Sequence, residues 1–176
     1  LIKKYDASKN FIFLKRPKKL SGDKIAKIHV IRHALKASEK KQNKKYDYIL
    51  DLDITSPLRN MRDLKTAIKI FFKKKSDNLI TLTNAKKNPY FNMVEIKNKR
   101  LSISKKLNRK INSRQQAPRV YEMNASIYIW KREKLLKSNS ILNKKTSFYK
   151  MPYERSIDID DFFDFKIVNS LINNKL

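Results

Sequence analysis

The chain has 176 residues, 40% of them apolar, no cysteine, and 43 Lys+Arg against 16 Asp+Glu, a formal net charge of +27. Such a length is one domain's worth, and such an apolar fraction excludes wholesale disorder. The absence of cysteine excludes disulfides and thiolate metal sites, and no apolar run is long enough to span a bilayer.

In chain order, "NFIFLK" (10–15) reads as a short strand, followed by the polar loop "RPKKLSGD". Ile25, Ile28, Ile31 and Leu35 then recur at helical spacing and predict an amphipathic helix over about 23–38. "KASEKKQNKK" is a polar connection, and "YDYILDLDI" (46–54) has the near-continuous apolar character of a strand buried on both faces. "TSPLRN" turns the chain into a helix marked by Met61, Leu64, Ile68 and Phe71, and "NLITLT" (78–83) is a second buried strand. This alternation predicts βαβ units and a mostly parallel α/β sheet. From Pro89 to Arg119 the rhythm breaks: "YFNMVEI" and "LSISKK" read as an antiparallel excursion, followed by the polar "RKINSRQQAPR". It returns with the strand "ASIYIW" (125–130), the helical "KREKLLKS" and a last helix over about 162–173.

The positive charge lies in every segment rather than along one face, so it reads as a solvated basic surface that would still steer an anionic substrate. Tyrosines and phenylalanines fall on buried-looking elements, not interleaved with Lys/Arg as stacking platforms, which argues against a nucleic-acid-binding module. The N-terminal residues show no signal-peptide pattern, and a cytoplasmic protein without membrane contact is the expectation. Gly22 is the single glycine, so a glycine-rich phosphate cradle cannot be built from this chain alone.

Carboxylates concentrate at "SIDIDDFFDF" (156–165), with Asp158, Asp160, Asp161 and Asp164. On a strand, Asp158 and Asp160 would share a face with Cα atoms about 6–7 Å apart. Such a pair suits a hard cation completed by water and phosphate oxygens, and equally suits a solvent-facing strand end; the spacing leaves both readings open. Asp161 falls where the N-cap of the last helix belongs, and Asp164 in its first turn. His29 and His33 lie four apart without a completing acid and read as ordinary surface histidines. Polar motifs after three strands ("RPKKLSGD", "DITSPLR", "SIDID") suggest one shared pocket at the carboxyl edge of the sheet.

Six stretches taken in order, "RPKKLSGD", "YDYILDLDITSPLR", "KNPYFNMVE", "RQQAP", "YEMNASIYIW" and "SIDIDDFFDF", resemble the acylneuraminate cytidylyltransferases, which make CMP-activated sialic acids and related sugars. The resemblance implies a Rossmann-like nucleotide-diphospho-sugar transferase fold: one domain over 1–176 with an antiparallel dimerisation excursion over about 90–124. It implies a homodimer that uses CTP, Mg2+ and a nine-carbon 2-keto sugar acid (a nonulosonic acid) to give the CMP-sugar and pyrophosphate. Carried over by position, Asp158 and Asp160 match the catalytic magnesium pair. Arg16, Ser21 and Asp23 match the nucleotide site. Asp53, Thr55, Ser56, Arg114, Gln115, Asn124 and Tyr128 match the sugar site, with the Arg114 motif reaching it from a partner subunit in relatives.

Two departures qualify that match. Many sialic acid members carry Gln-Pro-Thr-Ser-Pro where this chain has Asp53-Ile54-Thr55-Ser56-Pro57, which changes the hydrogen bonding offered to the sugar; with "PYFNMVE" the chain looks more like the branch that handles legionaminic-acid-type or other modified nonulosonic acids. The family's opening strand and glycine-rich basic loop have no counterpart in residues 1–15, so the expectation is an N-terminally truncated synthetase, inactive alone. The nearest rival is the synthetase that activates the eight-carbon sugar Kdo; "YEMNASIYIW" and "RQQAP" favour the sialic-type branch.

Overall fold

The structure, a computed structural model, describes residues 12–22 and 24–173. Its elements are α1 (Lys27–Gln42), β1 (Tyr48–Leu52), α2 (Met61–Lys73), β2 (Asn78–Asn84), β3 (Val94–Lys97), β4 (Arg100–Ile103), β5 (Tyr121–Lys131), α3 (Arg132–Lys137), β6 (Thr146–Lys150) and α4 (Phe162–Asn173). Four strands form one sheet in the order β1-β5-β2-β6, and β3 pairs with β4 in a separate hairpin.

The sheet is mixed. β5 runs antiparallel to both β1 and β2, whereas β6 runs parallel to β2. Strands β1, β2 and β6 therefore point one way and β5 alone is reversed: the α/β expectation holds, while the sheet is mixed, with β2–β6 its one parallel pairing among the described strands. The three co-directed strands open their carboxyl ends on one edge, where ligands of α/β sheets bind.

Period-two alternation along β2 and β5 builds a core on each face of the sheet. Ile80, Tyr128 and Trp130 face Ile28, Ile31 and Leu35 of α1 and Leu135 of α3. Leu79, Ile127 and Ile129 face Ala67 and Phe71 of α2, with Met151. Arg132 of α3 grips Glu39 of α1 through two hydrogen bonds of 2.6 and 3.0 Å, tying those helices together over the first face. Asn60 starts α2 with a reciprocal capping box: its side chain accepts from the Asp63 N–H, and Asp63 accepts from the Asn60 N–H.

Several sequence expectations are corrected. Residues 12–15 form no strand, and Phe13 is exposed; the remainder of "NFIFLK" lies outside the described residues. The first helix begins at Lys27, four positions later than periodicity suggests. β1 is not buried on both faces: among the described residues it pairs with β5 alone, and Tyr48 and Leu50 remain 49% and 44% exposed. "SIDID" is irregular backbone rather than strand, because the Ile159 N–H donates to the Thr55 carbonyl at 2.9 Å instead of to a ladder. β6, with the sequence "TSFYK", is an element that periodicity did not reveal.

Candidate active site

The carboxyl end of β1 runs directly into Asp53, Thr55 and Ser56, and a tight turn holds them. Arg59 closes it by donating to the carbonyls of Asp53 and Ser56. Asp53 Oδ1 accepts from the Thr55 N–H at 3.4 Å and the Thr55 hydroxyl at 3.1 Å, while Oδ2 accepts from Lys27 Nζ at 2.8 Å. Burial by itself pushes the Asp53 carboxyl up, but Lys27 and Thr55 outweigh it and hold Asp53 below the usual carboxylate range.

The loop after β6 is pinned to the same place by tethers from three elements. Ser56 Oγ donates to Asp158 Oδ1 at 3.3 Å, and the Ile159–Thr55 backbone bond lies beside it. Asn124 Nδ2 donates to Ser156 Oγ at 2.9 Å. Asn124 is directed there by a β-bulge: the β2–β5 register shifts, and Ala125 takes a left-handed φ of 52°. Arg155 supplies the third tether, donating to the two oxygens of Asp63 at 2.9 and 3.0 Å. Asp63 is 0% exposed and also accepts from Tyr149 at 3.0 Å. Burial pushes Asp63 up, yet Arg155, the Asn60 N–H and Tyr149 outweigh it and keep it below the usual range.

A cavity of about 1080 Å³ runs between α1 and β1, from Gln42 and Tyr46 to Asp53 and Ile54, with Arg16, Gly22 and Lys27 on its wall. Arg16 thus faces the space that Asp53 closes. Tyr128 is buried beneath this end, its ring 4.6 Å from Lys27 Nζ. Burial raises the Tyr128 phenol, the Lys27 charge lowers it, and Asp51, Asp53 and Asp158 raise it, for a net upward shift.

The structure therefore gathers Asp53, Thr55, Ser56, Asn124, Tyr128 and Asp158 around one sheet edge. Asp160 follows on the same loop and is exposed. Ser21 is exposed, its hydroxyl donating to the Pro17 carbonyl at 3.1 Å, and takes no part in the cavity wall. Asp23 lies outside the described residues. Arg114 and Gln115 stand on a short 3-10 turn and make no bond to the cluster within this chain; Arg114 donates to the Lys86 carbonyl beyond β2 at 3.3 Å.

Asp161 is the cap of α4, accepting from the N–H groups of Phe163 and Asp164 at 2.7 and 2.9 Å. Asp164 answers by accepting from the N–H groups of Asp160 and Asp161 at 3.1 and 3.3 Å. Both remaining carboxylates of the acidic stretch, Asp158 and Asp160, are left with oxygens for other partners. Among the described residues no group of three or more His, Cys, Asp or Glu could hold a metal. Two carboxylates fit a hard cation that draws its other ligands from water and phosphate.

Sequence reasoning missed Lys27, Asp63 and Arg155. Asp63 has a local signal in the Asn60 capping box, but its Arg155 partner is 92 positions away, and Lys27 finds Asp53 26 positions away.

No family model matches the chain. It is 42% identical over 164 residues to "Post-translational flagellin modification protein B" of Campylobacter coli, and 43% identical over 164 residues to "CMP-N,N'-diacetyllegionaminic acid synthase" of Campylobacter jejuni. Each match covers 93% of this chain and 69% of the relative. An "N-acylneuraminate cytidylyltransferase" of Streptococcus agalactiae is 27% identical over 154 residues, covering 88% of this chain and 36% of the relative. Among solved structures, 4-diphosphocytidyl-2C-methyl-D-erythritol synthase of Anaerococcus prevotii superposes with a TM-score of 0.52 at 15% identity, over 81% of this chain and 66% of that one. At that identity the likeness speaks for the fold alone. Among the described residues no helix is long and apolar enough to cross a membrane.

Proposed function

The chain belongs to the acylneuraminate cytidylyltransferase family of CMP-nonulosonic acid synthetases, and from that premise we propose that it serves CMP transfer from CTP to an N-acylated, legionaminic-type nine-carbon 2-keto sugar acid. The anomeric oxygen of the sugar bonds to the α-phosphorus and releases its proton to water. The bond from that phosphorus to the bridging oxygen breaks, and its electron pair leaves with pyrophosphate.

The observation that carries this reading is the joining of two distant loops, in which Ser56 and Thr55 bind Asp158 and Ile159. It sets sugar-site candidates Asp53, Thr55, Ser56, Asn124 and Tyr128 beside the acidic loop, with Arg16 on the adjoining cavity wall for the nucleotide. Fixed geometry of this kind is what holds an attacking oxygen in line. Asp158 and Asp160 would hold Mg2+, which when bound offsets triphosphate charge. The basic surface raises the local concentration of both anionic substrates, and the proposed setting is the cytoplasm.

With Gly22 as its single glycine, the chain cannot build a glycine-rich cradle for a triphosphate, so residues 1–176 alone are proposed to turn over poorly. The test compares the chain with a chimera joining it to the parts of the Campylobacter coli protein outside the matched region. Pyrophosphate release from CTP and N,N'-diacetyllegionaminic acid should appear in the chimera and be at least about tenfold slower in the chain alone. A chimera inactive with every nonulosonic acid would sink the functional reading; equal rates would sink the cradle argument.

The β3–β4 hairpin supports a homodimer. Val94 pairs with Ile103 and Ile96 with Leu101, so these four share one face, yet Ile96 and Leu101 are 76% and 71% exposed. A two-stranded hairpin needs a cover for such a face, and a second copy supplies the same apolar surface. The double change Ile96→Lys/Leu101→Lys is expected to turn a dimer into a monomer at micromolar concentration, read by sedimentation equilibrium.

A further inference from the structure

Lys27 stands at the first position of α1, where the helix presents its positive dipole end and a cation is least favourable. Two carboxylates on the end of β1 hold it there: Asp53 Oδ2 at 2.8 Å and Asp51 Oδ2 at 3.1 Å. The ring of Tyr128 closes another side at 4.6 Å. A residue that breaks a local rule while its surroundings are arranged to keep it marks a functional position more often than a structural one. All three charged side chains are about one-quarter exposed and line the wall of the 1080 Å³ cavity.

We propose that Lys27 is a specificity-determining residue: by pinning the Asp53 carboxylate between itself and Thr55, it makes the end of β1 an acceptor-only subsite for amide N–H or hydroxyl donors of the substrate. The proposal rests on the functional reading above and names the kind of group that reading leaves open. Asp53 already accepts from three donors, and a carboxylate has room for about four. One acceptor place therefore remains, and no donor. The ammonium turns toward Asp53 and Asp51, with the Tyr128 ring against another side, so its donors are directed mainly at those carboxylates. The Arg59 guanidinium on the Asp53 carbonyl balances the second carboxylate, so the selectivity comes from hydrogen-bond type rather than from net charge.

A neutral amide at position 53 would present both a donor and an acceptor, and so would accept either kind of ligand group. The carboxylate favours an acylamino N–H and opposes an ester oxygen placed at the same point. Polar sites discriminate strongly between such isosteres because the wrong one leaves a desolvated group without a partner.

The test uses the 176-residue chain and two probes, N,N'-diacetyllegionaminic acid and its analogue with both acetamido groups replaced by acetoxy. Ligand-observed NMR titrations give the two affinities. The unsubstituted chain should prefer the diamide by at least about tenfold, below the largest known discriminations because the subsite is partly exposed. Asp53→Asn and Lys27→Met should each bring the preference below about threefold, while Lys27→Arg keeps it. Thermal melting identifies any variant that fails to fold; should Lys27→Met do so, Asp53→Asn and Lys27→Arg decide the question. Equal affinities for the two probes in the unsubstituted chain, or an unchanged preference in Asp53→Asn, overturn the proposal. If the chimera turns over the diamide while the preference is absent, only this proposal falls. If neither probe binds the unsubstituted chain, the proposal falls; if the chimera is inactive as well, the functional reading falls with it.

Discussion

Asp158→Asn is expected to lower turnover by the chimera at least about a hundredfold, while Asp161→Asn leaves it within about twofold. Asparagine keeps the shape of the side chain and can still accept the Ser56 hydrogen bond, so the loss reports the missing charge. Ser56 itself is buried and donates either to Asp158 or to the Asn124 carbonyl, both at 3.3 Å, which keeps the loop in place in the variant. Asp161 is occupied with capping α4, where removal of a cap costs about 1 kcal/mol of stability. The measurement is the rate of pyrophosphate release against Mg2+ concentration. Asp158→Asn should shift the half-maximal concentration upward, and Mn2+ binding followed by water-proton relaxation should weaken in parallel. A near-normal rate at ordinary Mg2+ would remove Asp158 from the site.

Arg155→Ala is expected to destabilise the chain by about 3 kcal/mol, measured by urea unfolding near neutral pH. Cutting one member of a buried pair leaves an uncompensated charge, and Asp63 is fully buried. The low end of the ~3–5 kcal/mol range applies because about a quarter of the Arg155 side chain reaches water, which can partly replace it. The double variant Arg155→Ala/Asp63→Asn should recover much of the loss. The pH dependence follows from the sign of the shift. The folded chain holds Asp63 below its unfolded value, so its stabilisation is present above the usual carboxylate range and fades as pH falls through the depressed value. In Arg155→Ala, burial dominates and Asp63 moves up. The gap between the two proteins should therefore narrow steadily as pH drops from neutrality into the acid range. A gap constant with pH would mean that Arg155 acts through packing alone.

Those two residues also show where reading the sequence stops. α2, β2 and β5 are legible because each buries its apolar residues, α4 is legible from its apolar spacing although only Val168 is buried, and the Asp161 cap is legible because capping is local. β6 is not, since "TSFYK" is short and places only Ser147 fully inside. Lys27 is one of 43 Lys+Arg, and its type carries no signal in so basic a chain. Arg155 and Asp63 are 92 positions apart, and Ser56 and Asp158 are 102 apart; only the fold makes them neighbours. The resemblance in motif order names candidates for the sugar site and contains the Ser56–Asp158 and Asn124–Ser156 tethers, whereas Lys27, Asp63 and Arg155 lie outside its motifs. D-x-D alternation suits a strand, but the Thr55 carbonyl captures the Ile159 N–H and keeps that segment a loop.

The reversed strand β5 has a consequence for the order in which the molecule is assembled. β1 and β2 are not paired with each other, and each finds its antiparallel partner in β5, which runs from Tyr121 opposite Asn84 to Lys131 opposite Tyr48. During synthesis, the first two strands must therefore wait until residues up to about 131 have emerged before the sheet can close. Non-local pairing of this kind slows folding, because loop-closure entropy is spent before any ladder forms. β5 is the keystone: among the described strands, neither β1 nor β2 has a partner from the earlier part of the chain.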